Sequence, residues 1–453
     1  MADLLVSGGT VVTASGTQLA DVAITDGLIS QIGLDLSRDA AEVIDASGLL
    51  VLPGVIDVHT HLRLPTDSEP DRFWVDTMAA ARGGTTTVLS FNNPGTGISD
   101  AGATSLLAGL EEFRRRTAGQ AAVDYGLNAV VTGQQPRALD ELPALVAAGV
   151  PSFKAFMVYD FRLTDAALSG AMRVAARHGG LPMVHCEEPA IIEPLIERAL
   201  RAGQVSCRYH AATRPPRAEA AATRKAIEMA RAAESPLYIV HLSCAEALEA
   251  VAEAKQRGEP VYAETCPHYL TLTNALYDDP DESQVIRRVI SPPLRSPADV
   301  EALWAGLRDG VLDVVASDHV PDRCDREKRL PAPPFPQISN GAPGIETLLG
   351  VVYSAGVAGG RIGIERLVEV LAATPAWLFG LPSKGAIDVG RDADLVLFDP
   401  DARRTILQGE LHHTSDFTPY EGMEVRGEVR AVLSRGAHIG GGRHGVFVER
   451  PQS

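Results

Sequence analysis

The chain has 453 residues, more than one ordinary core can serve, so its length calls for one large domain of barrel size and a smaller one. Hydrophobic residues make up 45% and charged residues 22%, a globular mix, and the net charge of −17 argues against nucleic acid or an anionic membrane as a partner. Five cysteines with no CxxC pair, no basic leader and no apolar run of membrane-spanning length point to a reducing cytoplasm.

The first fifty residues read as short strands. "DLLVSGGTVVT", "ADVAITDGLISQIG" and "AEVIDASGLLVLPG" are rich in Val, Ile and Leu, and they are punctuated by Gly-Gly and by the hairpin signal Asp26-Gly27. From about residue 53, apolar runs alternate with alanine-rich helical stretches such as "DTMAAARGG" and "RKAIEMARAAE". The strand-like runs are "VIDVHTH", "TTTVLSFNN", "DYGLNAVV", "SFKAFMV", "LPMVHCEE", "LYIVHLSC", "PVYAETCPHYL" and "LDVVASDHV". Eight runs in βα alternation over this length predict an α/β fold of the TIM-type (β/α)8 barrel class. A doubly wound open sheet competes, but no GxGxxG follows the first strand. After about residue 385 the short-strand pattern returns in "GAIDVGRDADLVLFDP" and "EVRAVLSRGAHIGG". Two β-rich flanks around one barrel are expected to pair into one small sheet domain. The expected boundaries are 1–52 and 385–453 for its two parts and 53–384 for the barrel.

In such a barrel the chemistry sits where strands end. The first strand ends in His59-Thr60-His61, and period two puts both histidines on one face. The fourth carries Lys154, the fifth runs into His185, the sixth into His241 and the eighth into Asp318. Alone, each has a plain structural explanation: a hydrogen-bonded core histidine, a turn aspartate, a lysine whose stem packs while its head reaches water. Together they supply nitrogen and oxygen ligands suited to zinc or a similar ion. Four histidines and one carboxylate are too many for one four-coordinate ion and too few for two. Lys154 closes that gap. Burial among Phe153, Phe156 and Val158 lowers an ammonium pKa, and a neutral amine can add carbon dioxide to become a carbamate that bridges two metals.

The chain resembles cyclic amidohydrolases of the hydantoinase and dihydropyrimidinase family, within the amidohydrolase superfamily. The resemblance is carried by "PGVIDVHTHL", "GGTTTV", "SFKAFMVY", "RYHAATRPPRAEA", "LYIVHLSCAEALEAV", "VYAETCPHYL", "SPPLRS", "ASDHVP", "NGAPGIE", "GRDADLVLFDP" and "PYEGMEVRG", spread over almost the whole chain. It implies a barrel, a composite β-sandwich from both flanks, and two divalent ions, zinc with manganese or cobalt as alternatives. By motif, His59, His61 and Asp318 hold one ion, His185 and His241 the other, and carboxylated Lys154 bridges them. Tyr159 matches the family's donor to the carbonyl oxygen, and Ser291 and Asn340 match positions whose backbone groups hold the cyclic amide. The resemblance also implies a homotetramer, with "HHTSDFTPYEGMEVRG" as a contact segment.

The implied reaction is hydrolysis of a ring amide in hydantoins or dihydropyrimidines to N-carbamoyl amino acids. A hydroxide between the metals attacks, Tyr159 stabilises the oxyanion, and Asp318 moves the proton to the leaving nitrogen. Arg63 and Asn93 resemble a pair that grips a substrate carboxylate in dihydroorotase. Ser90 stands where hydantoinases more often have an acid, and the loop "VPDRCDREKRLPAPPFPQ" differs from theirs, so dihydroorotase and allantoinase remain alternatives. Arg63 is otherwise expected to be a loop residue paired with Glu69 or Asp71. A noncatalytic assembly protein is a third reading, opposed by the filled ligand positions. Of the remaining histidines, His268 and His319 are expected beside the site, His178 near a helix end, and His412 and His413 in structural or interface roles.

Overall fold

The computed structural model describes residues 2–37, 39–92, 101–329 and 331–450. Strands β1 (Ala2–Thr13), β2 (Gly16–Thr25), β3 (Leu28–Gly33), β4 (Ala40–Asp45) and β5 (Leu50–Pro53) come first. Asp26 and Gly27 turn β2 into β3 with φ of 51° and 78°, the left-handed pair that a two-residue hairpin requires. Gly8-Gly9 is not a break between strands. It lies inside β1, where the register with β2 shifts between Val6 and Gly9. Gly8 has φ 74°, and a Cβ there would lie 2.9 Å from Ser47 Oγ, so the glycine makes a bulge and β1 runs on.

The barrel strands follow: β6 (Val55–Thr60), β7 (Thr85–Phe91), β8 (Asp124–Val130), β9 (Ser152–Phe156), β10 (Leu181–His185), β11 (Leu237–Ile239), β12 (Val261–Thr265) and β13 (Val314–Val315). They pair in chain order, every pair parallel. The ring closes where the His61 N–H donates to His319 O at 2.8 Å, beside a parallel bridge between Thr60 and His319. All eight expected runs form strands, in the order of a (β/α)8 barrel. "PVYAETCPHYL" is only half a strand. Pro267 sits at the first position of a short helix, Pro267–Thr271, where its missing N–H costs nothing.

Helices lie between the strands because their apolar residues recur at helical spacing. In Asp165–His178 the buried positions are Leu168, Ala171, Met172 and Ala175. Thr164 accepts from the Ala167 N–H at 3.2 Å to start that helix, and Gly179, at φ 68°, ends it.

Three strands from the far flank, β14 (Leu395–Thr405), β15 (Glu424–Ser434) and β16 (Ala437–His438), complete the smaller domain. β14 pairs antiparallel with β5, so both flanks share one eight-stranded sheet. β1 binds β4 through its first half and β5 through its second. Val6, Val22, Ile29, Val51, Leu395 and Leu433 meet in one core, which brings together strands that are not neighbours in the sheet. Lys384 fastens this domain to the barrel. It is buried, 2.8 Å from Asp124 on β8 and 2.7 Å from Asp394, and Arg435 also reaches Asp124. Replacing Lys384 by Ala leaves buried Asp394 without its cation and Asp124 with Arg435 alone. The expected loss is about 3–5 kcal/mol of stability, read as a lower denaturation midpoint with unchanged strand signature.

Candidate metal centre

His59 lies in β6, and its ring is fixed from behind. Nδ1 contacts Glu264 Oε1, which leaves Nε2 as the nitrogen turned inward. Glu264, on β12, also accepts from the His241 N–H at 3.0 Å and from the Tyr238 hydroxyl at 2.7 Å. His59 Nε2 lies 3.0 Å from Asp318 Oδ1, and His61 Nε2 lies 3.3 Å from the same oxygen. One ligand atom from each of His59, His61 and Asp318 falls within 4.8 Å of the others. Asp57, two residues before His59, accepts from the N–H groups of His59 and Ser317 at 3.3 and 3.1 Å and so ties the first strand to the end of the last.

Lys154 enters from β9 with 1% of its surface exposed. Its Nζ is 3.4 Å from His59 Nε2, and it lies over the rings of Phe91 and Phe156. Burial pushes the ammonium down to about 8, against the pull of Asp318 and Glu264. The His185 and His241 rings meet edge to face at 4.5 Å, and the His241 ring is 5.4 Å from that of His59. His185 Nε2 is held at 2.8 Å by Glu187, which in turn accepts from Arg214 at 2.5 Å. Burial lowers the pKa of His61, His185 and His241, which keeps their lone pairs available. For His59 burial acts the same way, but Glu264 and Asp318 outweigh it. Burial pushes Asp318 up, yet His59 and His61 hold it well below the usual carboxylate range.

These groups fit divalent cations. Nitrogen lone pairs and a carboxylate oxygen converge on one point, and the buried Nδ1 of His241 has no hydrogen-bond partner among the described residues. Backbone geometry agrees. Tyr159, His241 and Asp318 have φ of 77°, 41° and 47°, three of the eight described non-glycine residues in the left-handed region. The carboxylates of Asp124, Asp392 and Asp394 also cluster, but Lys384 and Arg435 fill that cluster with cations.

The centre opens into a cavity of about 450 Å³, lined also by Tyr159, Ser291 and Asn340. The Tyr159 hydroxyl faces Ser291 and Asn340, and burial raises its pKa. Its ring stacks on Phe161, with the Arg214 guanidinium 5.4 Å from the ring centre. Arg63 lines the mouth, but its partners are not Glu69 or Asp71. It donates to Asp322 Oδ1 at 2.7 Å and pairs with Glu327 at 3.4 Å. Glu69 instead holds Arg72, Arg323 and Arg326, and Asp71 meets Arg443. Asn93 lies outside the described residues. Ser90 links strand ends, accepting from the Leu62 N–H and donating to Thr60 O. His319 is buried beside Asp318 and accepts from the Gly344 N–H, and His268 is buried nearby. His178 ends its helix, His412 pairs with Glu346, and His413 is buried.

Glu264, Asp57 and Glu187 escaped sequence reasoning. The signal was available: each is a carboxylate inside or just past an apolar strand run, the same anomaly that exposes Lys154.

Residues 50–439 match the Amidohydrolase family. The chain is 40% identical over 456 residues to a D-hydantoinase of Geobacillus stearothermophilus, covering 99% of this chain and 94% of that protein. It is 40% identical over 460 residues to a D-hydantoinase of Ralstonia pickettii, covering 99% of each. The crystal structure of dihydropyrimidinase from Brevibacillus agri NCHU1002 superposes with a TM-score of 0.92 at 40% identity, over 99% of this chain and 98% of that one.

Glu264 meets His59 Nδ1, the His241 N–H and the Tyr238 hydroxyl, so its replacement tests how the candidate ligands are held without replacing one of them. Glu264→Gln is expected to weaken metal retention about 10- to 100-fold in a chelator competition, with secondary structure unchanged.

Proposed function

The chain belongs to the amidohydrolase family, in its hydantoinase and dihydropyrimidinase group, and from that premise we propose that it hydrolyses the ring amide of hydantoins or dihydropyrimidines to N-carbamoyl amino acids. One observation carries the reading. A convergent set of histidine and carboxylate ligands surrounds a buried lysine at the floor of a cavity whose wall presents a phenol.

His59, His61 and Asp318 would hold one divalent ion, His185 and His241 the other, with Lys154 carboxylated on Nζ as the bridge. Zinc suits this nitrogen and oxygen set, with manganese or cobalt as alternatives. When bound, the ions supply Lewis acidity for the amide carbonyl and lower the pKa of water toward neutrality. The chain supplies the rest. With its pKa near 8, Lys154 has a neutral fraction at physiological pH that can take up carbon dioxide. Asp318 stays ionised, so it accepts the proton of the attacking water and passes it to the departing ring nitrogen. Tyr159 keeps its proton, because burial raises its pKa, and donates it as a hydrogen bond where charge builds on the carbonyl oxygen. Backbone groups of Ser291 and Asn340 hold the ring.

Neutral substrates are favoured over dihydroorotate. The Arg63 guanidinium already faces Asp322 and Glu327, so a substrate carboxylate would have to compete with two acids for it. The same family reading extends to assembly as a homotetramer in the cytoplasm; sedimentation showing only monomer at micromolar concentration would remove the tetramer.

A turnover panel of hydantoins, dihydrouracil, dihydroorotate and allantoin tests the substrate class. Hydantoin or dihydrouracil is expected to lead, and Arg63→Ala is expected to change their kcat/KM only a few-fold. A dihydroorotate kcat/KM above every hydantoin would overturn the choice. Lys154→Ala is expected to lose activity together with bridged metal, and short carboxylic acids are expected to restore part of both. Near-normal turnover in that variant would sink the bridge.

A further inference from the structure

Ser291 and Asn340 reach the cavity from two stretches that belong to no helix or strand, so some other contact must hold them in register. One side chain that bonds to both stretches is Lys328. Its side chain is fully buried, and its Nζ donates to Val289 O at 2.8 Å and to Ser339 O at 2.7 Å. Val289 lies two residues before Ser291, and Ser339 immediately precedes Asn340. Val289 O also accepts from the Gly341 N–H at 3.0 Å, the direct backbone tie between the two stretches. Asp322 Oδ2 is 3.8 Å from the ammonium, while the other oxygen of Asp322 takes Arg63. A cation held mainly by carbonyls at zero exposure is costly, and simple loop packing gives no reason for it. A single ammonium with three donors, clamping two carbonyls on either side of a binding wall, does.

We propose that Lys328 is a positioning residue that sets the spacing between the Ser291 and Asn340 backbone groups, and so fixes how tightly the cyclic amide is held. The proposal rests on the hydantoinase reading above, because that reading makes those two residues the ring contacts. Lys328 touches neither the metal ligands nor the reacting atoms. Its loss is therefore expected to weaken ground state and transition state alike, raising KM and sparing kcat.

The test is steady-state kinetics of Lys328→Met and Lys328→Gln on the best hydantoin or dihydropyrimidine, with metal content measured on the same preparations. Wild-type turnover in that assay establishes the parent reading independently. For Lys328→Met, KM is expected to rise about tenfold or more, with kcat and bound metal within about twofold of wild type. Lys328→Gln can still donate to the carbonyls without charge, and its KM is expected to fall between the two. If Lys328→Met does not fold, the glutamine variant decides alone. A KM within about twofold of wild type in a folded variant, or a loss of kcat that follows loss of metal, overturns the positioning role.

Discussion

A lysine ammonium inside a barrel sets the terms for everything around it. Lys154 meets an imidazole nitrogen and two aromatic faces, and among the described residues it forms no ion pair. With 1% of its surface exposed it is poorly solvated, which favours losing its charge, inverting it by carboxylation or balancing it with what gathers around it. The neighbours follow from that need. His59 Nε2 comes to within 3.4 Å, and Asp318 Oδ1 lies 3.0 Å from the same nitrogen. Behind these stand three buried carboxylates: Glu264 and Glu187 meet the rings of His59 and His185, and Asp57 takes the His59 N–H. On His59 and His185 one ring nitrogen is taken by Glu264 or Glu187, which leaves the other nitrogen of each ring turned inward.

What could be read from the sequence was what is local in it. Strand parity put His59 and His61 together, and both approach Asp318 Oδ1. Asp26-Gly27 turned a hairpin because two adjacent residues suffice for one. The eight barrel runs were visible because a doubly covered parallel strand is mostly apolar on both faces, whatever its neighbours. What failed was non-local. Arg63 has acids close by in sequence, yet ring closure brings it Asp322 from the far end of the barrel's sequence, and nothing in the local pattern encodes that meeting. Gly8-Gly9 looked like a break, because whether two glycines end a strand or bulge it depends on the partner strand. The helix at Pro267 hid behind an apolar run that suits either conformation.

Scaffold and walls therefore obey different rules. The candidate ligands lie in barrel strands or within three residues of their ends, whereas the cavity wall is built from irregular chain held by single side chains such as Lys328 and Arg63. Changes in the barrel strands would displace these groups. Wall segments can change length and sequence as long as their pins survive, which is where relatives with one chemistry can diverge in substrate.

The shared sheet of the smaller domain has a further consequence during synthesis. β5 leaves the ribosome early, and its antiparallel partner β14 follows only after the entire barrel. At about 5–20 residues per second that interval is tens of seconds. Throughout it, one edge of β5 carries unpaired backbone groups, the kind of edge that recruits strands from other chains. The barrel must therefore fold while its smaller companion is half built, and chains cut short before β14 are released with that edge open.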